Sequence, residues 1–133
     1  MDNRLKSKSS SEKFEVTREE LEAIIKEGNV EKLNICAKNL GERFSKNLKS
    51  TQIRKFLSEV QKIKEFEKDG REKLHLLRPL LAYLAGRHRG GVKEFQEIIE
   101  KAIPLITNNK EFNYFKHFIE AIVAYHRYYG GKE

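Results

Sequence analysis

Apolar residues recur along this chain with the period of an α-helix, in segments that Gly, Asn and Ser residues separate. Nowhere do apolar and polar residues alternate over a sustained stretch with the period of two that marks a half-buried strand. The pattern therefore predicts an all-α fold, a single compact bundle of five or six helices joined by short turns. The apolar-periodic segments cover residues 18–27, 30–48, 52–66, 74–87, 93–108 and 111–129.

The central stretch, residues 74–91, contains the most apolar run of the chain. Its apolar side chains cover most of the circumference of a helix, and a helix of that kind needs neighbours on several sides. We therefore expect it in the middle of the bundle. Pro79 either begins a new helix within this stretch or kinks a continuous one, and Pro104 leaves the same alternatives open in the next segment. The apolar positions are Leu74, Leu76, Leu77, Leu80, Leu81, Tyr83, Leu84 and Ala85.

Local signals divide the chain into two parts. Residues 1–16 are poor in apolar residues and rich in Ser and Lys, which predicts a disordered, flexible N-terminal arm. Thr17 and Glu20 have the spacing of a capping box, so the helical bundle domain is expected to begin there and to cover residues 17–131. Within the second helix, Gly41 costs roughly 1 kcal/mol relative to Ala, so the pattern allows a bend or an end at that point.

The last segment, residues 111–129, holds more than half of the aromatic residues of the chain. One interpretation is that these rings fill the core of the bundle, and the other is that they form a platform on which nucleic-acid bases stack. Their helical spacing favours the core.

The net charge of +7 is concentrated in the middle of the chain. Residues 43–93 contain 14 Lys and Arg against 5 Asp and Glu, a net charge of +9, whereas the remainder has 13 against 15, a net charge of −2. Solubility alone does not require such localisation. The distribution indicates a polyanionic partner, either nucleic acid or an acidic protein.

Residue patterns that carry catalysis or bind metals are not found. The four histidines show no ligand spacing, and no phosphate-binding loop or nucleophile elbow is present. The acidic run at residues 65–69 is more typical of a solvated helix end than of an acid–base pair. We therefore predict no catalytic site, no metal site and no cofactor.

The sequence also bears on the compartment. Cys36 is the single cysteine, so no intrachain disulfide is expected, and a small buried apolar residue is its simplest interpretation. No stretch approaches the ~20 apolar residues of a membrane span, and no signal peptide is recognised. A cytoplasmic protein without a membrane partner is the expectation.

A basic surface is the one functional candidate that the residues provide. Two interpretations apply to it, a solvated charged face or a contact with phosphates that lacks sequence preference. The localised charge and the shortage of neighbouring acidic residues favour the second. A helix-turn-helix is disfavoured because its second helix would be too apolar for a major groove. The candidate residues are Arg54, Lys55 and Lys62 on the third helix, Arg78 within the central helix, and Arg87 and Arg89 at its end.

Three motifs in this order resemble the small subunit of type III-A CRISPR effector complexes, the Csm type. They are TQIRKFLSEVQKI at 51–63, LHLLRPLLAYLAGR at 74–87 and FKHFIEAIVAYHRYY at 115–129. The resemblance covers about residues 50–129. It implies a small helical bundle, present in several copies that stack along the backbone subunits and form an inner ridge beside the crRNA–target duplex.

The resemblance implies an antiviral RNA-binding subunit without nuclease activity, since cleavage belongs to other subunits. The implied partners are crRNA, target RNA, the backbone and large Csm subunits, and further copies of the chain. The first motif places Arg54 and Lys55 at the target-strand groove, and the second adds Arg78 and Arg87. Lys62 and Arg89 come from helix geometry and charge. Two alternatives stay open, a helical DNA-binding regulator and a structural adaptor whose basic face meets an acidic protein.

Overall fold

The chain forms six α-helices over the residues that the computed structural model describes, 16–88 and 90–131. No strand occurs in these ranges, so the prediction of an all-α bundle of five or six helices is confirmed. A π-helical turn, Phe66–Gly70, leads into the fourth helix, and a 3-10 turn, Ile103–Leu105, follows the fifth. The helices are α1 Arg18–Ile25, α2 Val30–Asn47, α3 Ser50–Gln61, α4 Arg71–Arg87, α5 Gly91–Ala102 and α6 Asn109–Tyr128.

The start of the bundle follows the local signals. The backbone N–H of Glu20 donates to Thr17 Oγ1 at 3.1 Å, and the Thr17 N–H donates to the Glu20 carboxylate at 3.0 Å, so the predicted capping box is confirmed. The predicted arm lies outside the described residues, except for its last member. Val16 is only 1% exposed and packs with the core, so the apolar core includes the residue just before α1.

The prediction that the central stretch lies in the middle of the bundle is wrong. That place belongs to α6, which packs against α1, α2 and α3. By contrast, α4 packs mainly against α5 and buries only Leu74 and Leu81. Periodicity counts apolar positions but does not reveal how many neighbours a helix has, and the large phenylalanine rings of α6 gain more from burial. The buried apolar residues of α6 are Phe112, Phe115, Phe118, Ile119 and Ile122.

The three phenylalanine rings of the last segment therefore fill the core, as their spacing favoured. Phe112 stacks on Phe66 of the π-helical turn, with ring centroids 5.8 Å apart, and both rings are only 2% exposed. This contact holds the connection between α3 and α4 against α6. The four tyrosines of α6 and its C-cap are not buried: three are half-buried, and Tyr128 is 77% exposed.

The two prolines have different positions. Pro79 lies inside α4, which continues through it from Arg71–Arg87. Pro104 lies in the 3-10 turn directly after α5. The alternatives that the sequence left open are thus resolved as a continuous helix at Pro79 and a helix end before Pro104.

Gly41 lies where α2 packs closely against α6. A Cβ atom at Gly41 would lie 2.5 Å from Tyr125 Cβ and 2.8 Å from the backbone N of His126. The helix does not end at this glycine, because α2 continues without a break to Asn47. The absent side chain is what allows the two helices to pack backbone against backbone.

Replacing Gly41 by Ala should destabilise the fold although Ala is the better helix former. Overpacking against the α6 backbone is expected to cost about 1–3 kcal/mol after the gain in propensity. Gly86→Ala is the matched control, because a Cβ there meets nothing within 4 Å, and it should stabilise by up to ~1 kcal/mol. Urea unfolding followed by circular dichroism gives both values, and a Gly41→Ala protein as stable as wild type would contradict the packing.

Candidate nucleic-acid interface

Three chain segments meet at one end of the bundle. The α4–α5 corner touches the α2–α3 junction, since a Cβ on Gly91 would lie 2.7 Å from Asn47 O and 2.9 Å from Leu48 Cβ. The C-terminal turn of α6 reaches the same junction, where His126 Nε2 donates to Leu48 O at 2.6 Å. His126 is 1% exposed, so this hydrogen bond is an internal tie between α6 and the junction.

Basic side chains surround this meeting point, and we call them the basic end. Each lies on a terminal part of its helix or beside one, and each is exposed. Among the described residues, no ion pair involves Lys46, Lys49, Arg54, Lys55 or Arg87. Their charge is therefore available to a partner. The basic end consists of Lys46, Lys49, Arg54, Lys55, Arg87 and Arg127.

Two carboxylates near the basic end are already paired with other cations. Arg43 holds Glu94 through two hydrogen bonds of 2.8 and 2.7 Å, and hydrogen bonding to Glu94 raises the pKa of Arg43. Lys93 pairs with Glu97 at 3.4 Å. Glu94 and Glu97 therefore do not neutralise the cations of the basic end.

The structure places three of the six candidate residues at the basic end, namely Arg54, Lys55 and Arg87. Arg54 and Lys55 lie in the second turn of α3, and Arg87 is the last residue of α4. Because Asn47 and Leu48 directly precede α3 and contact the corner after α4, the two helix ends are neighbours. Residues 33 positions apart in the sequence thus share one end of the fold.

Arg78 has a different environment. Its guanidinium binds the Glu100 carboxylate through Nε at 3.0 Å and Nη2 at 2.8 Å, which ties α4 to α5. Arg78 Nη1 also lies 3.1 Å from His75 Nδ1. Burial, followed by the charges of Arg78 and Arg71, lowers the pKa of His75, so a neutral imidazole accepts this N–H. Arg78 therefore has an acidic partner, Glu100, whereas the sequence predicted few acidic residues near the candidate cations.

Lys62 and Arg89 are also separate from the other candidates. Lys62 lies at the other end of α3, about 12 Å from Arg54 along the helix axis, and it pairs with Glu59 at 3.0 Å. The shortage of acidic neighbours is therefore not met at Lys62 either. Arg89 lies outside the described residues.

Three residues of the basic end, Lys46, Lys49 and Arg127, are not among the candidates predicted from the sequence, and Arg127 is the most informative of them. It borders a groove of about 310 Å³ between α3 and α6, which Ser50, Arg54, Val123 and Ala124 also line. The sequence did contain a signal for Arg127, because this residue lies in the motif at 115–129, the third of those that resemble the Csm small subunit. Only the packing of α6 beside the first turns of α3 shows that this arginine and Arg54 flank one groove.

An exposed apolar stripe runs along α4, and we call it the α4 stripe. It consists of Leu76, Leu80 and Tyr83, which are 63%, 41% and 62% exposed. Their spacing places them on one face of the helix. The same face leads to Arg87, so the α4 stripe and the basic end adjoin.

Other chemistry has little support in the described part of the chain. No group of three or more metal-ligating side chains is found there. Burial, with a smaller contribution from Glu20, raises the pKa of the Cys36 thiol to about 11, so this cysteine stays protonated at neutral pH. None of the described helices combines the length and the apolar character needed to cross a bilayer.

Comparison with known proteins gives one family. The model described as Csm2 Type III-A matches residues 27–132, a span that contains every residue of the basic end and the α4 stripe. No curated protein and no solved structure gives a significant match.

Proposed function

Because the chain belongs to the Csm2 Type III-A family of small subunits, we propose that it is a non-catalytic, RNA-binding member of the Csm complex. In this proposal the basic end contacts the sugar–phosphate backbone of the crRNA–target duplex. Several copies stack along the complex, beside its backbone and large subunits. Target cleavage is left to other subunits of this antiviral ribonucleoprotein.

The observation that carries the proposal is a set of exposed cations at one end, Arg54, Lys55 and Arg87 among them, that have no carboxylate partner within the described residues. Arg54, Lys55 and Arg87 make no ion pair with a described residue, whereas Arg43 and Arg78 each do. A charged group held apart from intramolecular partners is suited to bind phosphate oxygens. Such contacts carry little sequence information, which suits a complex in which guide–target pairing reads the sequence.

A single copy is expected to bind RNA weakly. Each copy offers only a few phosphate contacts, and the affinity of the particle comes from several copies that bind along one duplex. The purified subunit alone should therefore show salt-sensitive RNA binding without preference among sequences. Tight, sequence-selective duplex DNA binding would instead support the helical DNA-binding regulator.

The α4 stripe supports contact with a further copy of the chain. Three large apolar side chains exposed on one helix face lose favourable free energy in water unless another surface covers them. Their position beside Arg87 would join neighbouring copies next to the RNA. This arrangement accounts for the exposure of a helix that the sequence placed in the core.

The double variant Leu80→Glu/Tyr83→Glu should reduce the number of copies in each particle because it puts two negative charges into the proposed interface. Native mass spectrometry of purified particles measures the stoichiometry. Val30→Glu/Ile35→Glu is the matched control, since both residues are exposed apolar residues on α2. An unchanged copy number in the α4 variant would assign the contact between copies to another surface.

Purification of the tagged chain from cells that express the complex tests the proposed function. We expect it to carry crRNA, and we expect nuclease treatment to reduce its retention in the particle. Retention that is indifferent to nuclease would support the structural adaptor. Turnover of RNA by the pure chain would contradict its non-catalytic role.

A further inference from the structure

The exposed ring of Tyr128 is a feature that the proposed phosphate contacts do not use. Tyr128 is the last residue of α6, and it is 77% exposed. Its ring meets that of the half-buried Tyr129 edge to face, with centroids 5.0 Å apart and an angle of 82° between the planes. This contact favours one orientation of the Tyr128 ring and leaves most of its surface open to solvent.

The packing of α6 against α3 places Tyr128 beside the basic end. Gln61, the last residue of α3, donates to the Glu120 carboxylate at 3.2 Å. Arg54, near the start of α3, lines a groove with Ala124, which lies farther along α6, so the two helices run antiparallel. Tyr128 follows Ala124 by four residues and therefore lies on the same face of α6, about 6 Å farther along the helix axis. The ring is thus next to the first turn of α3.

Cations without a carboxylate partner lie around the same turn. Lys49 is the N-cap residue of α3, and Lys46 is in the last turn of α2. The last turn of α6 reaches the backbone between these two lysines. Both lysines and Arg54 are exposed, and none of the three makes an ion pair with a described residue. An exposed aromatic ring therefore adjoins several unneutralised positive charges.

This combination fits a nucleobase better than a protein surface. Proteins hold single-stranded nucleic acids by stacking bases on aromatic rings while basic side chains attract the backbone. A protein partner would require a wider apolar patch. Of the large apolar side chains that are exposed in the described part of the chain, Tyr128 alone lies on α6.

We propose that Tyr128 stacks with an unpaired RNA base whose neighbouring phosphates lie on Lys46, Lys49 and Arg54. Stacking at this ring rests on the proposed function, in which the basic end contacts the RNA backbone. It adds a contact with a base, which attraction to phosphates does not supply. Because every base has a π face, the contact is independent of sequence and agrees with binding that guide–target pairing directs.

Nuclear magnetic resonance of the full-length chain tests the site with two probes. One is a short single-stranded RNA without self-complementarity, and the other is an abasic oligonucleotide with the same number of phosphates. The ring-proton signals of Tyr128 are expected to shift upfield with the RNA and to stay in place with the abasic probe. Tyr128→Ala should weaken RNA binding by about five-fold or more and leave binding of the abasic probe unchanged.

Two further variants separate stacking from other effects of the substitution. Tyr128→Phe keeps the ring without its hydroxyl and should bind the RNA like wild type. Tyr83→Ala is the matched control, because this tyrosine of the α4 stripe is 62% exposed, and it should bind both probes like wild type. Since the Tyr128 ring is exposed, Tyr128→Ala should leave the urea midpoint near that of wild type. A clear loss of stability would assign the ring a structural role and overturn the site.

The two probes also distinguish failure of the stacking contact from failure of the proposed function. Tighter binding of RNA than of the abasic probe, lost in Tyr128→Ala and kept in Tyr128→Phe, supports stacking. RNA binding that is equal in wild type and Tyr128→Ala overturns the stacking contact and leaves the proposed function standing. Equal weakening by Tyr83→Ala has the same consequence. A chain that binds neither probe, in a particle that contains no RNA, overturns both.

Discussion

Reversing the charges of Arg54 and Lys55 is expected to weaken target-RNA binding by the assembled complex by about ten-fold or more at physiological salt. Both side chains are exposed and lack an ion pair within the described residues, so Arg54→Glu/Lys55→Glu replaces attraction by repulsion at the phosphates. Loss of two phosphate contacts should reduce the slope of log affinity against log salt by roughly 1.4 to 1.8. Filter binding at four or five salt concentrations measures both quantities.

The matched control is Lys38→Glu/Lys110→Glu. It changes the net charge by the same amount at two exposed lysines on α2 and α6 that make no ion pair with a described residue. We expect a near wild-type affinity and salt slope for this control, and unfolding free energies within about 0.5 kcal/mol of wild type for both variants. Equal weakening by the two variants would show that net charge, not the basic end, governs RNA binding.

Replacing Glu111 by Ala should have the largest effect on stability, about 3 kcal/mol. The Glu111 carboxylate is nearly buried and accepts three hydrogen bonds, from Thr107 N at 2.9 Å, Thr107 Oγ1 at 2.8 Å and Lys26 Nζ at 2.9 Å. Lys26 also donates to Leu105 O at 2.9 Å, so the carboxylate joins α1 to the turn before α6. Urea unfolding measures the loss, and a loss below about 1 kcal/mol would contradict this role.

The stability contribution of Glu111 should depend on pH. Partial burial acts to raise its pKa, but hydrogen bonds from Lys26 and Thr107 outweigh it, so the pKa of Glu111 is lowered from 4.5. A carboxylate whose pKa is lower in the folded state stabilises the protein at pH values above its unfolded-state pKa. This stabilisation is lost as the pH falls through the folded-state pKa. The stability difference between wild type and Glu111→Gln should therefore shrink below a pH of about 4.5. A difference that stays constant with pH would contradict the sign.

The sequence predicted the helices well because their signals are local. Thr17 and Glu20 are three residues apart, and their reciprocal hydrogen bonds need no distant partner. The position of α4 was not predictable in the same way. The apolar pattern predicted Leu76 and Tyr83 as core residues. Both are exposed, because neighbouring helices cover only one side of α4.

The residues of the candidate site also differ in whether local sequence signals were enough to predict them. Charge localisation was sufficient to select Arg54, Lys55 and Arg87, which the fold gathers at one end. Arg78 depends on Glu100, a residue 22 positions away, and no spacing rule predicts that pair. Arg127 depends on the approach of α6 to α3, which is equally non-local. Long-range packing decides which cations are neutralised and which remain available.

The most direct test of the central claim is a cryo-electron microscopy structure of the target-bound particle that contains this chain. The quantity to measure is the distance from the Arg54 and Arg87 guanidinium groups to the nearest RNA phosphate oxygen. We expect distances within about 4 Å in the copies that line the duplex. A particle in which the basic end faces protein or solvent, with the RNA bound elsewhere, would contradict the central claim.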